Sequence, residues 1–331
     1  MKALVVSSYK RPLTLAEVAA PRVGNRDVLI QVEATGLNQL DEKVRLGEFK
    51  AFLRYRAPFT LGHDVAGTVV AVGSEVTELV PGDEVYARLG DGRIGGFAEQ
   101  VAARVEDVAL RPHNITAAEA ASLPLVALTA WQALVVVGQV QPGQKVLVHA
   151  GSGGVGNIAI QLAKHLGATV AATASAANAD LVRDLGADVV IDYRSASFEE
   201  TLSGYDLVLD GVSGDNVLRS LTVLRPGGVT IGIAGPPTPE FARELGLNPA
   251  LRLVMGLLSR KVRRAAATLE VRYQFLFMRA DGRQLAEITA LVEAGTLRPV
   301  LGRTVAFEDI PTALSTLGRD GTPGKTVAHL S

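Results

Sequence analysis

The feature that most constrains this chain is a glycine-rich loop set between an apolar segment and a helical pattern. Residues 145–158 read KVLVHAGSGGVGNI, and Gly151, Gly153 and Gly156 match the pattern G-x-G-x-x-G. Glycine is plentiful, with 34 in the chain, so the pattern alone is weak. Its position after an apolar strand and before a helix makes it typical of a dinucleotide-binding unit.

Each part of this loop suits a bound pyrophosphate. Gly151 permits the tight turn, Gly153 lets the backbone approach the ligand, and Gly156 lets helix and strand pack closely. The free N–H groups and the dipole of the helix that follows favour an anion. The alternative is a glycine turn that binds nothing. We predict a cofactor site formed by Gly151, Ser152, Gly153, Gly154, Val155 and Gly156.

The end of the next strand distinguishes between two dinucleotides. Sites for NAD usually place Asp or Glu about 20 residues beyond the loop, where it binds the ribose 2′-hydroxyl. Here residues 171–175 contain no acid, the first carboxylate is Asp180, and no Arg or Lys stands at the strand end. A carboxylate would repel a 2′-phosphate, whereas Ser175 and Asn178 offer neutral hydrogen bonds. The sequence therefore favours NADP(H) over NAD(H).

The rhythm of apolar residues divides the chain into two kinds of region. Residues 1–110 break into short apolar runs separated by turn residues, which predicts a compact, partly closed β-barrel. From about Thr116 onward, near-continuous apolar strands alternate with amphipathic helices. This alternation predicts a parallel sheet covered on both faces, and right-handed crossovers then make it doubly wound.

Composition excludes several classes of protein. The 331 residues include 33 Lys+Arg and 34 Asp+Glu, and this balance gives no support to a nucleic-acid partner. No apolar run reaches the roughly 20 residues of a membrane helix, and the first residues lack the features of a signal peptide. Without cysteine there is no disulfide and no sulfur-bound metal. We expect a cytoplasmic globular protein with no nucleic-acid or membrane partner.

A helix-prone segment follows the prolines of residues 236–239. Its cations are Arg252, Arg260, Lys261, Arg263 and Arg264. Such a run is typical of a solvated helix face, and contact with a cofactor phosphate or a lid function are the alternatives.

Consecutive motifs spread over the whole chain carry a family resemblance. They are Gly36–Lys43, Leu61–Val69, Val80–Val85, Gly95–Glu99, Ala120–Pro124, Leu128–Ala130, the glycine loop, Leu185–Tyr193 and Gly324–Lys325. In this order they resemble the medium-chain dehydrogenase/reductase superfamily, in its zinc-independent branch of quinone oxidoreductases and enone (alkenal) reductases.

The resemblance implies an α/β fold with two domains. A GroES-like β-barrel domain would comprise residues 1–122 and 297–331, and a doubly wound Rossmann domain would comprise residues 123–296. NADP(H) would be the cofactor, and a quinone or an enone the small-molecule substrate. A homodimer joined through sheet edges is also implied, with the apolar residues 273–278 as the edge.

Site residues also follow from the resemblance. Asn38 and Asp41 would be catalytic beneath the nicotinamide ribose, with Lys43 and Thr129 as further cofactor contacts. Asn38 and Asp41 can instead cap a helix, and Lys43 can be a surface lysine. The other implied cofactor contacts are Ser175, Asn178, Tyr193, Gly211, Val212, Gly232, Ile233, Phe275, Leu276, Phe277 and Lys325. The aromatic segment can equally be core or dimer packing.

No metal centre is expected. Zinc-dependent members of the superfamily use cysteines and a histidine beside a glutamate, whereas this chain has Asn38 at the first position and no cysteine. His63, beside Asp64, is expected to hydrogen-bond in a packed turn.

No nucleophile or acid–base pair stands out, which suits hydride delivery, because that reaction needs mainly positioning. Reduction of a quinone or of an activated C=C bond leaves an oxyanion, which a bound water or a ribose relay through Asn38 and Asp41 could protonate. Tyr55, Arg56 and Phe59 are expected to line the substrate mouth. The alternatives are a metal-free NADP-dependent alcohol dehydrogenase and a non-catalytic dinucleotide-binding protein.

Overall fold

The computed structural model describes residues 1–53, 55–319 and 321–330. Its contacts divide the chain into two compact units. The first unit comprises Met1–Leu128 and Arg279–Ser331, and the second comprises Thr129–Met278. In the described ranges, no helix has both the length and the apolar character needed to cross a membrane.

The strands and helices are numbered along the chain. The strands are β1 (Lys2–Val6), β2 (Thr14–Glu17), β3 (Asp27–Gly36), β4 (Phe59–Thr60), β5 (Asp64–Val72), β6 (Glu84–Arg88), β7 (Gln100–Arg104), β8 (Val108–Leu110), β9 (Lys145–Val148), β10 (Thr169–Ala174), β11 (Val189–Asp192), β12 (Tyr205–Asp210), β13 (Leu224–Gly232), β14 (Arg272–Phe275), β15 (Leu301–Ala306) and β16 (Lys325–His329). The helices are α1 (Gln39–Leu46), α2 (Ala117–Ala121), α3 (Pro124–Trp131), α4 (Gly154–His165), α5 (Ala179–Asp184), α6 (Phe198–Thr201), α7 (Asp215–Thr222), α8 (Pro239–Glu244), α9 (Pro249–Leu258), α10 (Arg260–Thr268), α11 (Gly282–Glu293) and α12 (Ile310–Thr316).

The first unit is built on β-structure. Its larger sheet has the order β15-β16-β3-β5-β6-β8, with β7 also paired to β3, and a smaller sheet has the order β2-β1-β4. Val28, Ile30 and Val32 alternate along β3 and are buried in one core with Val65 and Val69 of β5, which suits β-branched side chains on a pleated surface. The antiparallel register places Gly36 opposite Asp64, so β3 ends beside the start of β5.

The second unit is a six-stranded sheet in which every pair is parallel, in the order β11-β10-β9-β12-β13-β14. This order confirms the doubly wound prediction. The chain leaves β9 toward β10 on one side and later adds β12 on the other. Ligands of such sheets bind at the carboxyl ends of the strands where this reversal occurs.

The units differ from the predicted domain bounds, because α11 lies in the first unit. The Tyr86 hydroxyl donates a hydrogen bond to the Leu285 carbonyl oxygen at 2.8 Å. Gly282 packs so closely against the Val108 carbonyl that a side chain there would collide with it. Tyr86 and Leu285 are 199 positions apart in the sequence, and a local pattern does not reveal such a contact.

Candidate functional site

The glycine loop folds into a narrow turn between β9 and α4. The Gly151 N–H donates to the Thr173 carbonyl at 2.8 Å, and the Gly153 N–H donates to the Ala150 carbonyl at 2.9 Å. Ala150 has a positive φ of 53°. A Cβ on Gly156 would collide with the Ala150 carbonyl oxygen, so only glycine fits there without a shift of the backbone.

The first turn of α4 is open to an anion. Its N-cap is Gly153, and no side chain caps the helix there. The last turn carries Lys164 and His165, and the Lys164 cation at this end complements the helix dipole. N–H groups without a side-chain cap, beside a loop of minimal bulk, fit the diphosphate of a dinucleotide.

The residues predicted to bind the adenosine end of the cofactor lie at the carboxyl ends of β10 and β11. Ser175 follows β10 directly, and the Asn178 amide donates to the Ser152 hydroxyl at 3.2 Å. The pairing of Ala174 with Asp192 places Tyr193 at the same edge. No carboxylate follows β10 before Asp180.

Arg194 is a residue that the sequence reasoning missed. It follows Tyr193 at the end of β11 and is exposed, and its guanidinium carbon lies 5.6 Å from the Tyr193 ring centroid. A cation at this edge suits a 2′-phosphate. Its signal in the sequence is Asp192-Tyr193-Arg194, which stands at the end of β11, one strand beyond the strand end where the dinucleotide pattern places the ribose contact.

A buried polar group lies behind the glycine loop, and we call it the His149 cluster: His149, Thr173, Asp210 and Ser220. The His149 ring is 3.1 Å (Nδ1) from the Thr173 hydroxyl and 3.0 Å (Nε2) from the Ser220 hydroxyl. Thr173 Oγ1 also accepts the Ala150 N–H at 3.2 Å. Burial lowers the pKa of His149 to about 4, so its imidazole is neutral at pH 7.

Asp210 extends this cluster to the loop after β12. Its carboxylate accepts the N–H groups of Val212 and Ser213, at 2.8 and 3.0 Å. It also accepts the Asn216 amide at 3.1 Å and the Ser220 hydroxyl at 3.3 Å. The predicted contacts Gly211 and Val212 are therefore exposed residues on a loop whose backbone is held by a buried carboxylate.

The remaining predicted contacts of the second unit lie near β13 and β14. The Leu276 N–H donates to the Gly232 carbonyl at 2.9 Å, and the Ile233 N–H donates to the Asp210 carbonyl at 3.0 Å. Phe275 packs edge-on against Phe241 with ring centroids 4.9 Å apart, and Phe277 lies 6.0 Å from the same ring. The aromatic segment thus contributes to packing within the unit, and Thr129 is buried.

The first unit contains a second buried polar group, which we call the Asp64 cluster: Asn38, Asp41, His63, Asp64 and Lys325. Lys325 Nζ donates to Asn38 Oδ1 at 2.5 Å and to the Leu37 carbonyl at 2.7 Å. The Asn38 amide donates to Asp64 Oδ2 at 2.9 Å. Asp41 accepts the Asn38 N–H at 2.9 Å and contacts His63 Nδ1 at 2.5 Å. All five side chains are buried.

Asp64 and Lys325 form the charged centre of this cluster. Lys325 Nζ is 3.7 Å from Asp64 Oδ2, and the other Asp64 oxygen accepts the Leu125 N–H at 2.9 Å. Burial raises the pKa of Asp64 to about 6, against the opposing effects of Lys325 and Asn38. Burial also lowers the pKa of Lys325, against the attraction of Asp64.

The structure therefore places three predicted site residues in one cluster. Asn38, Asp41 and Lys325 hydrogen-bond to one another or to shared partners inside the first unit. Asp41 also supports the start of α1 as the helix-cap alternative predicted. His63 is hydrogen-bonded as expected, and its Nε2 is buried with no partner among the described residues. Lys43 is half-buried on α1.

In the part of the chain that the structure describes, no three His, Asp or Glu side chains are arranged to hold a metal ion.

Near the predicted substrate mouth, Tyr55 and Phe59 stack with ring centroids 5.1 Å apart. Burial raises the pKa of Tyr55 to about 12, so its phenol keeps its proton at neutral pH.

Comparison with known proteins places this geometry in a family. Residues 24–113 match the alcohol dehydrogenase GroES-like domain, and residues 185–327 match the family described as zinc-binding dehydrogenase. The mitochondrial NAD(P)H oxidoreductase RTN4IP1 of Mus musculus is 35% identical, over 92% of this chain and 82% of the relative. The chloroplastic NADPH-dependent alkenal/one oxidoreductase of Arabidopsis thaliana is 35% identical, over 99% of this chain and 79% of the relative.

A solved structure agrees with these relatives. The quinone oxidoreductase from Coxiella burnetii superposes with a TM-score of 0.87 at 30% identity, and the match covers 100% of this chain and 99% of that one. The α/β fold and the parallel sheet with its glycine loop are those of this family. The relatives named above are more than 30% identical over most of the chain, and they indicate the same family. The chain therefore belongs to the medium-chain dehydrogenase/reductase superfamily, in its branch of quinone oxidoreductases and enone reductases.

Proposed function

We propose that this protein is an NADPH-dependent reductase that transfers hydride to a quinone or an α,β-unsaturated carbonyl without a metal. The observation that carries the proposal is the uncapped glycine loop at the start of α4, with Ser175 and Arg194 at the adjoining strand ends. The names of the relatives, which include quinone and alkenal/one oxidoreductases, support the same chemistry.

The residues of the second unit would bind and orient the dinucleotide. The first N–H groups of α4 would hold the diphosphate, and Gly153 would allow its close approach. Ser175, Asn178, Tyr193 and Arg194 would surround the 2′-phosphate. Bound NADPH supplies the hydride, so the protein has to provide position and exclude water.

The residues of the first unit would act on the substrate side. The stacked rings of Tyr55 and Phe59 offer a flat apolar surface that suits a quinone or a conjugated carbonyl. Asn38 and Asp41 are buried and already hydrogen-bonded, which favours a positioning role over direct proton donation. A bound water would then protonate the oxyanion left by hydride transfer.

Turnover with a panel of acceptors tests the activity. Purified protein and NADPH are mixed with quinones, enones, aldehydes and no acceptor, and the absorbance of the reduced nicotinamide is followed. We expect oxidation with quinones or enones. Turnover only with alcohols and NADP⁺ would favour an alcohol dehydrogenase, and saturable NADPH binding without turnover would favour a non-catalytic role.

Two substitutions test the choice of cofactor. Ser175→Asp adds a carboxylate, and Arg194→Ala removes a cation, at the site proposed for the 2′-phosphate. Each should lower the ratio of kcat/KM for NADPH to that for NADH by about tenfold, the effect of roughly 1.4 kcal/mol. Arg303→Ala, an exposed arginine on β15, is the matched control and should leave the ratio unchanged.

We also propose a cytoplasmic homodimer. β14 is the last strand of its sheet and pairs only with β13 among the described residues, so its other edge can pair with a second copy. The lack of cysteine means that no disulfide requires an oxidising compartment. Light scattering tests the dimer, and cell fractionation tests the location.

A further inference from the structure

Helices α9 and α10 present a long exposed face that the reductase assignment does not explain. Four large apolar side chains on α9 are open to solvent: Leu253 at 66%, Val254 at 49%, Leu257 at 61% and Leu258 at 61% exposed. Contiguous apolar side chains at this exposure are unusual on a soluble protein and mark an interaction surface.

The two helices meet directly at Ser259. The Ser259 N–H donates to the Met255 carbonyl, and the Arg263 N–H donates to the Ser259 carbonyl, both at 3.0 Å. Ser259 therefore ends α9 and begins α10, with no loop between the two helices. Met255, Ser259, Val262 and Ala266 are buried at helical spacing, and the latter two pack in a core with α7. The opposite face is thus the one turned to solvent.

Basic residues continue this face beyond the leucines. Leu253 and Leu257 on α9 and Arg260 and Arg264 on α10 follow one another at spacings of four, three and four residues, and all four are exposed. Residues 249–268 contain five cations and no acid. Arg260 and Arg264 are exposed and form no salt bridge with any described residue, and Lys261 has only Asp215 at 3.8 Å.

We propose that this α9–α10 face binds the surface of an anionic lipid membrane. Leucines that enter the region between headgroups and acyl chains, flanked by cations that meet acidic headgroups, are the pattern of a helix lying in a membrane interface. A symmetric contact between two copies would instead bring Arg260, Lys261 and Arg264 of one face against those of the other. The charge therefore favours lipid over a second copy.

This surface changes one expectation from the sequence. The expectation of no membrane partner rested on the absence of a membrane-spanning run, and a helix that lies on a membrane needs no such run. The proposal is independent of the reductase assignment, because lipid binding is measured without cofactor or acceptor.

Sedimentation with vesicles tests the proposal on the full chain. Vesicles of phosphatidylcholine alone are compared with vesicles in which about one-third of the lipid is phosphatidylglycerol. We expect binding to the anionic vesicles that falls as salt is added, and little binding to the neutral ones. Absence of binding to anionic vesicles at low salt would overturn the proposal.

Surface variants locate the contact. Two variants change this face: one combines Arg260→Glu, Lys261→Glu and Arg264→Glu, and the other combines Leu257→Asp with Leu258→Asp. Each should reduce binding to the anionic vesicles at least about tenfold. The matched controls lie on the first unit: Lys2→Glu, Arg22→Glu and Arg303→Glu together, and Leu15→Asp, which replaces a leucine 51% exposed. The controls should stay within about twofold of the unmodified protein.

Two outcomes would overturn the assignment of this face. Equal losses in the α9–α10 variants and in their controls would show that lipid binding is not local to it. A lower oligomeric state in the leucine variant, measured by light scattering, would show that the leucines cover a second copy. Circular dichroism establishes that each variant is folded.

Discussion

The two units solve the problem of burying polar groups in opposite ways. The Asp64 cluster in the first unit is charged, with two carboxylates, a histidine and Lys325 in contact. The His149 cluster in the second unit surrounds a neutral imidazole with two hydroxyls, and its one carboxylate is held by backbone N–H groups. Both are fully or almost fully buried.

The difference teaches where each cluster is vulnerable. A hydroxyl can donate or accept, so a neutral network keeps most of its bonds when one member is lost. A buried ion cannot change its role in this way, so removing its partner leaves an uncompensated charge that solvent does not reach. We expect the first unit to respond strongly to substitution and the second unit to respond mildly.

The largest effect should come from Lys325→Met, which keeps the length of the side chain and removes its charge. Asp64 would lose its cation, and Asn38 Oδ1 and the Leu37 carbonyl would lose their donor. We expect a loss of about 3–5 kcal/mol in the free energy of unfolding, measured in urea. Lys2→Met, at an exposed position, is the control, and Asp64→Asn added to Lys325→Met should restore part of the loss. A loss below about 1 kcal/mol would contradict the charged description of this cluster.

The next effect concerns pH, where the two clusters should act with opposite sign. Folded Asp64 keeps its proton up to a pKa of about 6, whereas the unfolded carboxyl loses it near 4, so its contribution to stability falls as pH rises between these values. His149 is neutral when folded and charged when unfolded between pH 4 and 6.5, so its contribution is lost as pH falls. The contribution of each group to the free energy of unfolding changes by about 3 kcal/mol across its pH range.

Unfolding in urea from pH 4 to 7 measures these slopes. Asp64→Asn should make stability rise more steeply with pH than in the unmodified protein. His149→Gln should make the rise shallower. Slopes that change in the same direction in both variants would refute the contrast between the clusters.

A smaller loss should follow His149→Leu. Thr173 keeps the Ala150 N–H, and the Ser220 hydroxyl still reaches the Asn216 carbonyl at 2.8 Å, so neither partner is stranded. We expect a loss of about 1–3 kcal/mol. His165→Leu, on the exposed end of α4, should change stability by less than about 0.5 kcal/mol. A loss as large as that of Lys325→Met would erase the difference between the units.

The smallest effect on stability, about 1 kcal/mol, should come from Thr173→Val, which removes the acceptor of the Ala150 N–H beside the glycine loop. Because Ala150 leads into Gly151, the KM for NADPH should rise severalfold while kcat changes little. Thr289→Val, which removes a hydroxyl of α11 in the first unit, is the control for equal loss of a hydrogen bond. An unchanged KM for NADPH would contradict the idea that the His149 cluster holds the glycine loop in its binding conformation.

Much of the fold was predictable because its signals are local. The strand before Gly151, the helix after Gly156 and the missing acid after β10 each occupy a few consecutive residues. The basic residues from Arg260 to Arg264 are likewise visible in the sequence, and on their own they indicate a solvated helix face. Their continuity with exposed leucines depended on which side of α9 the unit buries, and the pattern did not reveal that.

The sequence by itself determined the dinucleotide unit, the absence of an NAD-type carboxylate after β10 and the family, since backbone turns and strand ends are specified by neighbouring residues. Only the tertiary structure decided that Lys325 reaches Asn38 across 287 positions, and that His149 meets Ser220 across 71. Burial and partners change the protonation of a side chain, and both are set by chain segments far apart in sequence. That is why the residues of the Asp64 cluster were predictable, while the bonds among them were not.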